Sequence, residues 1–157
     1  MYLFIVLGLM FVIPAISVLI EFWAGNGDVL HLVGKWFVFW AAGVRLLVAG
    51  ISQALRPAFT AQGIFNIKDP EASKIVSELG FANISMGLLG VLSLFYPDWI
   101  VPVALCTGLF LGLDGIKHAA NRGRSAKENV AMVTDLLIAL ILAIVVIQGL
   151  ATRATHL

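Results

Sequence analysis

The chain has 157 residues, 61% of them hydrophobic and only 12% charged. A water-soluble domain of that length could not hide so much apolar surface, which excludes a soluble globular protein and points to a polytopic membrane bundle. A formal net charge of +1 leaves no electrostatic footprint for nucleic acid, and a single cysteine, Cys106, excludes an intrachain disulfide and a cysteine-only metal site.

Five apolar runs, each near the ~20 residues that cross a bilayer, predict an all-α fold of five transmembrane helices, at about 2–22, 33–55, 70–95, 99–118 and 130–152. Their apolar residues are continuous rather than alternating, which favours helices over barrel strands. The first run, YLFIVLGLMFVIPAISVLIEF, lacks the basic head and the small-residue cleavage site of a secretory signal and reads as a retained helix kinked by Pro14. The second, VGKWFVFWAAGVRLLVAGISQAL, carries Arg45 in its middle. Between Arg56 and Lys68 the stretch PAFTAQGIFNI is apolar but too short to span, as an interfacial or re-entrant segment would be.

DPEASK (69–74) reads as a helix start, with Asp69 as cap and Pro70 in the first turn, so the third helix begins ahead of its apolar run. YPDW (96–99) is a tight turn that folds the third and fourth helices into an antiparallel hairpin, with Asp98 capping the fourth. Cys106, inside the fourth run, reads as a small core residue. The fifth run is plain and apolar apart from Asp135.

Basic residues set the expected orientation. Arg56, Lys68, Lys74, Lys117, Arg122, Arg124 and Lys127 fall on the side of the N-terminus, against Lys35 and Arg153 on the other. The N-terminus is therefore expected in the cytoplasm and the C-terminus outside. Trp23, Trp36, Trp40, Trp99 and Tyr96 all fall near the outer helix ends, as an interfacial aromatic belt would.

Ionisable groups inside a bilayer are costly and mark functional sites by default. Arg45, Glu78, Asp114 and Asp135 qualify. By the ~1.5 Å rise per helical residue, the three carboxylates share a layer in the inner half, and Arg45 lies about 16 Å from the inner end of its helix, within reach of that layer. One arginine cannot neutralise three acids, so pairing, protonation, a bound cation or water must complete the site. A static role, Arg45 locking helix two to a neighbour through a bidentate ion pair, is the competing reading.

Gln53 falls at the same depth, and Asn83, Gly87 and Gly90 make a small polar face on the third helix. On the fourth, Thr107, Asp114, His118 and Asn121 form one stripe, beside Gly108, Gly112 and Gly115, which would let another helix approach closely. Asp114 and His118, an i,i+4 pair, are ligand types that suit zinc or iron. Two ligands on one turn are a weak metal pattern, and an interfacial or capping role for His118 is preferred. His31 and His156 lie on the other side and cannot join it.

Residues 33–150 resemble the DoxX-like small membrane proteins, a four-helix group. The resemblance rests on VRLLVAGISQAL, on SELGFANISMGLLGVLSL with Glu78 at its head, on GLDGIKHAANRG, and on a plain last helix. The first helix is extra to that pattern. The resemblance implies a bacterial inner-membrane protein with Arg45 and Glu78 as partners in the bundle interior. It also implies work beside redox enzymes that pass electrons to quinone. The absence of a cysteine pair argues against direct thiol chemistry.

Three functions follow as expectations. The first is a non-enzymatic component that binds a quinone or lipid, or supports a redox complex or a second copy of itself, with Arg45, Gln53, Glu78, Asn83, Asp114 and Asp135 at the site. It expects a cavity lined by apolar residues with a few polar groups. The second is a proton-coupled carrier or channel. The third, ranked last, is a metal-dependent membrane enzyme using Asp114, His118 and Glu78.

Overall fold

The computed structural model describes residues 2–64 and 67–154. Its described residues form five helices long and apolar enough to cross a membrane, and one short helix. We label them α1 (Leu3–Trp23), α2 (Val29–Leu55), α3 (Pro57–Gly63), α4 (Ala72–Leu92), α5 (Ile100–Ala120) and α6 (Ala126–Ala154). His156, Phe65 and Asn66 lie outside the described residues.

Where helix ends differ from expectation, the cause is polar. α2 begins at Val29, ahead of its apolar run, because Asp28 caps it by accepting from the backbone N–H of Leu30 and of His31, at 3.0 and 3.2 Å. Gly25 and Gly27, with φ of 77° and 120°, turn the chain into that cap. Asp69 does not cap α4, whose N-cap residue is Glu71 and carries no side-chain capping bond; Asp69 accepts from the N–H of Glu71 at 2.9 Å in the turn just ahead of the helix. Asp98 does not cap α5: it sits in a 3₁₀ turn, Pro97–Trp99, with its side chain fully in the open, 3.8 Å from Arg153.

Two of the spanning helices contain a wide, π-helical turn, Gly8–Val12 in α1 and Val38–Val44 in α2. The first ends just before Pro14, whose missing N–H breaks the regular ladder. The second ends at Arg45, whose N–H donates five residues back to the carbonyl of Trp40. The two wide turns lie against each other.

Glycines set the main pairings. A Cβ on Gly90 would lie 2.7 Å from the Gly43 nitrogen, and one on Gly50 would lie 2.6 Å from the Gly80 carbonyl oxygen, so the backbones of α2 and α4 touch. Gly108, Gly112 and Gly115 of α5 face Leu142, Ala139 and Leu136 of α6, the close approach expected of them. The YPDW turn joins α4 to α5, but neither is the other's chief partner: α4 packs mainly on α2, and α5 mainly on α6. The seam between them is loose. Cys106 lies on it, exposed rather than in the core, because the glycine face of α5 turns toward α6 and leaves Cys106 on another side.

Met10, Val38, Ala41, Leu46, Leu111, Ile138 and Leu142 form one fully buried core drawn from α1, α2, α5 and α6. Phe4, Trp23, Ile75, Phe95, Leu113 and Ile147 stand exposed on the outside, as the lipid-facing surface of a membrane bundle requires. Trp36 and Trp40, counted in the expected aromatic belt, also make polar bonds across helices. They donate from Nε1 to Glu21 (2.6 Å) and to the Ser17 hydroxyl (3.2 Å), and with Lys35 Nζ, 2.7 Å from Glu21, they clasp α1 to α2.

Candidate functional site

At the N-terminal end of the bundle all six helices contribute to the wall of a cavity of about 540 Å³. α1 supplies only apolar groups, Ile5, Val6 and Leu9, and α3 adds Phe59, Thr60 and Ile64. The α3 helix falls within the PAFTAQGIFNI stretch, with Thr60 and Ala61 buried. Its far end is fastened to the loop before α6: the Ser125 hydroxyl donates to the Ile64 carbonyl (3.2 Å) and Lys127 Nζ to the Gly63 carbonyl (3.1 Å).

Arg45 reaches into this cavity from the end of the π-helical turn and meets Asp135 of α6. Nη2 donates to Oδ1 at 3.2 Å. The contact is single, not the bidentate lock of the static reading. The side chain of Asp135 is 2% exposed and that of Arg45 14%. Arg45 therefore keeps guanidinium donors available to something else in the cavity, since it has five N–H groups.

Gln53 and Asn83, from α2 and α4, form the second polar pair. Asn83 Nδ2 donates to Gln53 Oε1 at 2.7 Å, and Asn83 is buried while its Oδ1 finds no hydrogen-bond partner among the described residues. Asp114 also lines the cavity, with 38% of its side chain exposed.

Glu78 does not join them. It is exposed and lies outside the cavity wall. The reason is angular: at about 100° per residue, Glu78 falls roughly opposite Gly87, and the face of α4 that turns inward carries Gly80, Asn83, Gly87 and Gly90. Depth placed Glu78 correctly along the axis, but direction took it away. Arg56, counted only as a loop charge, takes a place on the wall instead. The cavity thus holds two arginines, Arg45 and Arg56, against two aspartates, Asp114 and Asp135, in place of one arginine against three acids.

His118, buried on α5, sits between two carboxylates. Nε2 is 3.5 Å from Asp114 Oδ2, and Nδ1 is 3.6 Å from Glu128 Oε1. The carboxylates stand at opposite ring nitrogens, so the three groups do not converge on one point. Among the described residues no cluster of three His, Cys, Asp or Glu is placed to hold a metal ion. Glu128 is itself committed to a capping box: its Oε2 accepts from the Ser125 N–H (2.8 Å) while the Ser125 hydroxyl accepts from the Glu128 N–H (3.1 Å). Asn121 Nδ2 also donates to Glu128, at 3.2 Å. Arg124 closes the far end of α5 by donating from Nη1 to the carbonyls of His118, Ala119 and Asn121.

Residues 1–155 match the family of unknown function DUF6790. The chain belongs to that family. No curated protein and no solved structure matches it. The DUF6790 match runs through all five spans, so α1, with its apolar contribution to the cavity, falls inside the family pattern and is not an addition to it.

Three polar residues of this DUF6790 chain escaped the sequence reading: Arg56 on the cavity wall, Glu128 beside His118, and Glu21 at the opposite end of the bundle. Glu128 had a visible signal, the spacing Ser125-x-x-Glu128. Glu21 had none until Lys35 and Trp36 were brought onto it from the next helix.

Proposed function

We propose that this protein is a non-enzymatic component of the bacterial inner membrane that binds an amphipathic small molecule, a quinone or a lipid, in the cavity at its N-terminal end. The N-terminus lies in the cytoplasm and the C-terminus outside, in keeping with the excess of lysine and arginine at the cavity end. A quinone-linked redox complex is the partner that the DoxX-like resemblance of α2 to α6 suggests.

One observation carries this reading. A space of about 540 Å³ combines apolar walls with a small, charge-balanced polar group around Arg45 and Asp135. That combination suits a molecule with an oxygen-bearing head and a greasy body. Charge balance favours a head that hydrogen-bonds without bringing a large net charge.

The test is native mass spectrometry of the protein released from lipid nanodiscs, with the retained species extracted and weighed. A defined quinone or lipid should stay with the wild type and be reduced at least tenfold in Arg45→Met/Asp135→Leu, which removes the ion pair without stranding either charge. Equal retention by both, or none by the wild type, overturns the proposal.

The arrangement of Asp114, His118 and Glu128 beside Asp135 favours a second reading, a proton-coupled carrier. Asp135→Asn should then abolish pH-gradient-driven uptake into proteoliposomes, and unchanged uptake removes the residue from any such mechanism.

A further inference from the structure

A second hollow lies on the same seam as the cavity. It has a volume of about 280 Å³ and opens between α4 and α5 toward the opposite end of the bundle. It runs from exposed Leu89 and Cys106 inward to buried Val103 and Thr107. Its lining is apolar apart from the Thr107 hydroxyl, which already donates to the Val103 carbonyl at 2.7 Å.

The two spaces share helix faces. On α4, Leu79 and Asn83 line the cavity, and Met86 lines the hollow. These positions follow at i, i+4 and i+7, one face of a helix. On α5, Asp114 and Phe110 line the cavity, then Thr107 and Val103 the hollow, again a single stripe. The step from Asn83 to Met86, or from Phe110 to Thr107, is about 4.5 Å along the axis. Where the two stripes meet, Met86 lines the hollow and Phe110 the cavity, and both are partly buried. Neither helix has the other as its chief partner, and no close glycine contact joins them.

We infer that the α4–α5 seam holds the hydrocarbon tail of the cavity's amphiphile, whose head lies near Arg45 and whose chain passes Met86 and Phe110 into the hollow at Cys106. The inference rests on the reading of the cavity as a binding site and names its ligand more narrowly, as a long-chain molecule rather than a compact one. Polar groups lie at one end of this path and apolar surface at the other, in the order in which an amphiphile would need them. The flexible thioether side chain of Met86 suits a passage that must open and close.

The single native cysteine reports on the far end of the path. The protein in nanodiscs is labelled with N-ethylmaleimide in the presence of oleate or of hexanoate, which share a head and differ in length. A cavity reporter, Val48→Cys in a Cys106→Ala background, is labelled in parallel. Oleate should slow labelling of Cys106 at least fivefold, and hexanoate should not, while both slow labelling at position 48. Arg45→Met/Asp135→Leu, which removes the polar head site without stranding the buried Asp135 carboxylate, should abolish the protection of Cys106, which separates a seated tail from oleate dissolved in the surrounding lipid. Protection at position 48 without protection of Cys106 overturns the seam and leaves the cavity reading standing. Protection at neither position overturns both.

Discussion

The ion pair between Arg45 and Asp135 is asymmetric, and the asymmetry makes a prediction. Asp135 has 2% of its side chain exposed, whereas Arg45 has 14% and lines a cavity that also holds Asp114. Removing the arginine strands a buried carboxylate, at a cost of about 3–5 kcal/mol. Removing the charge of the aspartate leaves an arginine with an alternative acid within the same cavity. Arg45→Met should therefore destabilise the protein severely, Asp135→Asn distinctly less, and Arg45→Met/Asp135→Leu should recover most of the loss. Reversible unfolding in mixed micelles measures all three, and a double variant no better than Arg45→Met would refute the pairing. Glu128 offers a second check at this scale. Its carboxylate serves the Ser125 N–H, Asn121 and the edge of His118 together, so Glu128→Ala should cost more than the ~1 kcal/mol of an ordinary cap. Ser125→Ala loses the hydroxyl side of the capping box and the bond to the Ile64 carbonyl but keeps the Ser125 N–H bonded to Glu128, and should cost about 1–2 kcal/mol.

Among the elements, the spacing between helices is the variable that glycine controls. The α2–α4 contact is backbone on backbone, since a Cβ on Gly43 would lie 2.7 Å from the Gly90 carbonyl carbon. A methyl group there has no flexible side chain to displace, and the helices must part. Gly43→Ala should cost roughly 3 kcal/mol, at the upper end for overpacking. Gly112→Ala meets only the Ala139 Cβ at 3.4 Å, and its better helix propensity should make it close to neutral. Comparable losses in both variants would mean that the α2–α4 crossing is not the close one. These elements were legible in the sequence to different degrees, for physical reasons. The five spans were readable because membrane length demands a long apolar run, and the glycine face of α5 because its spacing is regular. The start of α2 was not, because a cap such as Asp28 is polar and sits outside the run. Arg45, Asp114 and Asp135 could be placed together by depth alone. Glu78 could not be excluded, since direction around a helix depends on which neighbour its glycines choose. The seam beside Cys106 was invisible for the same reason: a turn announces which helices are joined, not which ones pack.

For the whole molecule, the distribution of charge and the position of the cavity belong to one argument. The cavity, α3 and the loop before α6 occupy the same end of the bundle as Arg56, Lys68, Lys74, Lys117, Arg122, Arg124 and Lys127. Some of these charges are also structural: Arg124 closes α5, and Lys127 holds the end of α3. Lys35 at the opposite end is tied up by Glu21, and Arg153 faces Asp98 across 3.8 Å. Acidic partners count for little in setting topology, so these two pairs leave the excess of basic residues at the cavity end as the orienting signal. The proposed orientation, with the cavity end in the cytoplasm, can be tested with single cysteines in a Cys106→Ala background. Asp98→Cys lies in the exposed turn before α5, and Arg122→Cys in the exposed loop before α6. A membrane-impermeant maleimide added to intact spheroplasts should label the first at once and the second only after permeabilisation. The reverse pattern would place the cavity on the outer face and a periplasmic ligand in it. Labelling of both before permeabilisation would mean that one of the five apolar helices does not cross.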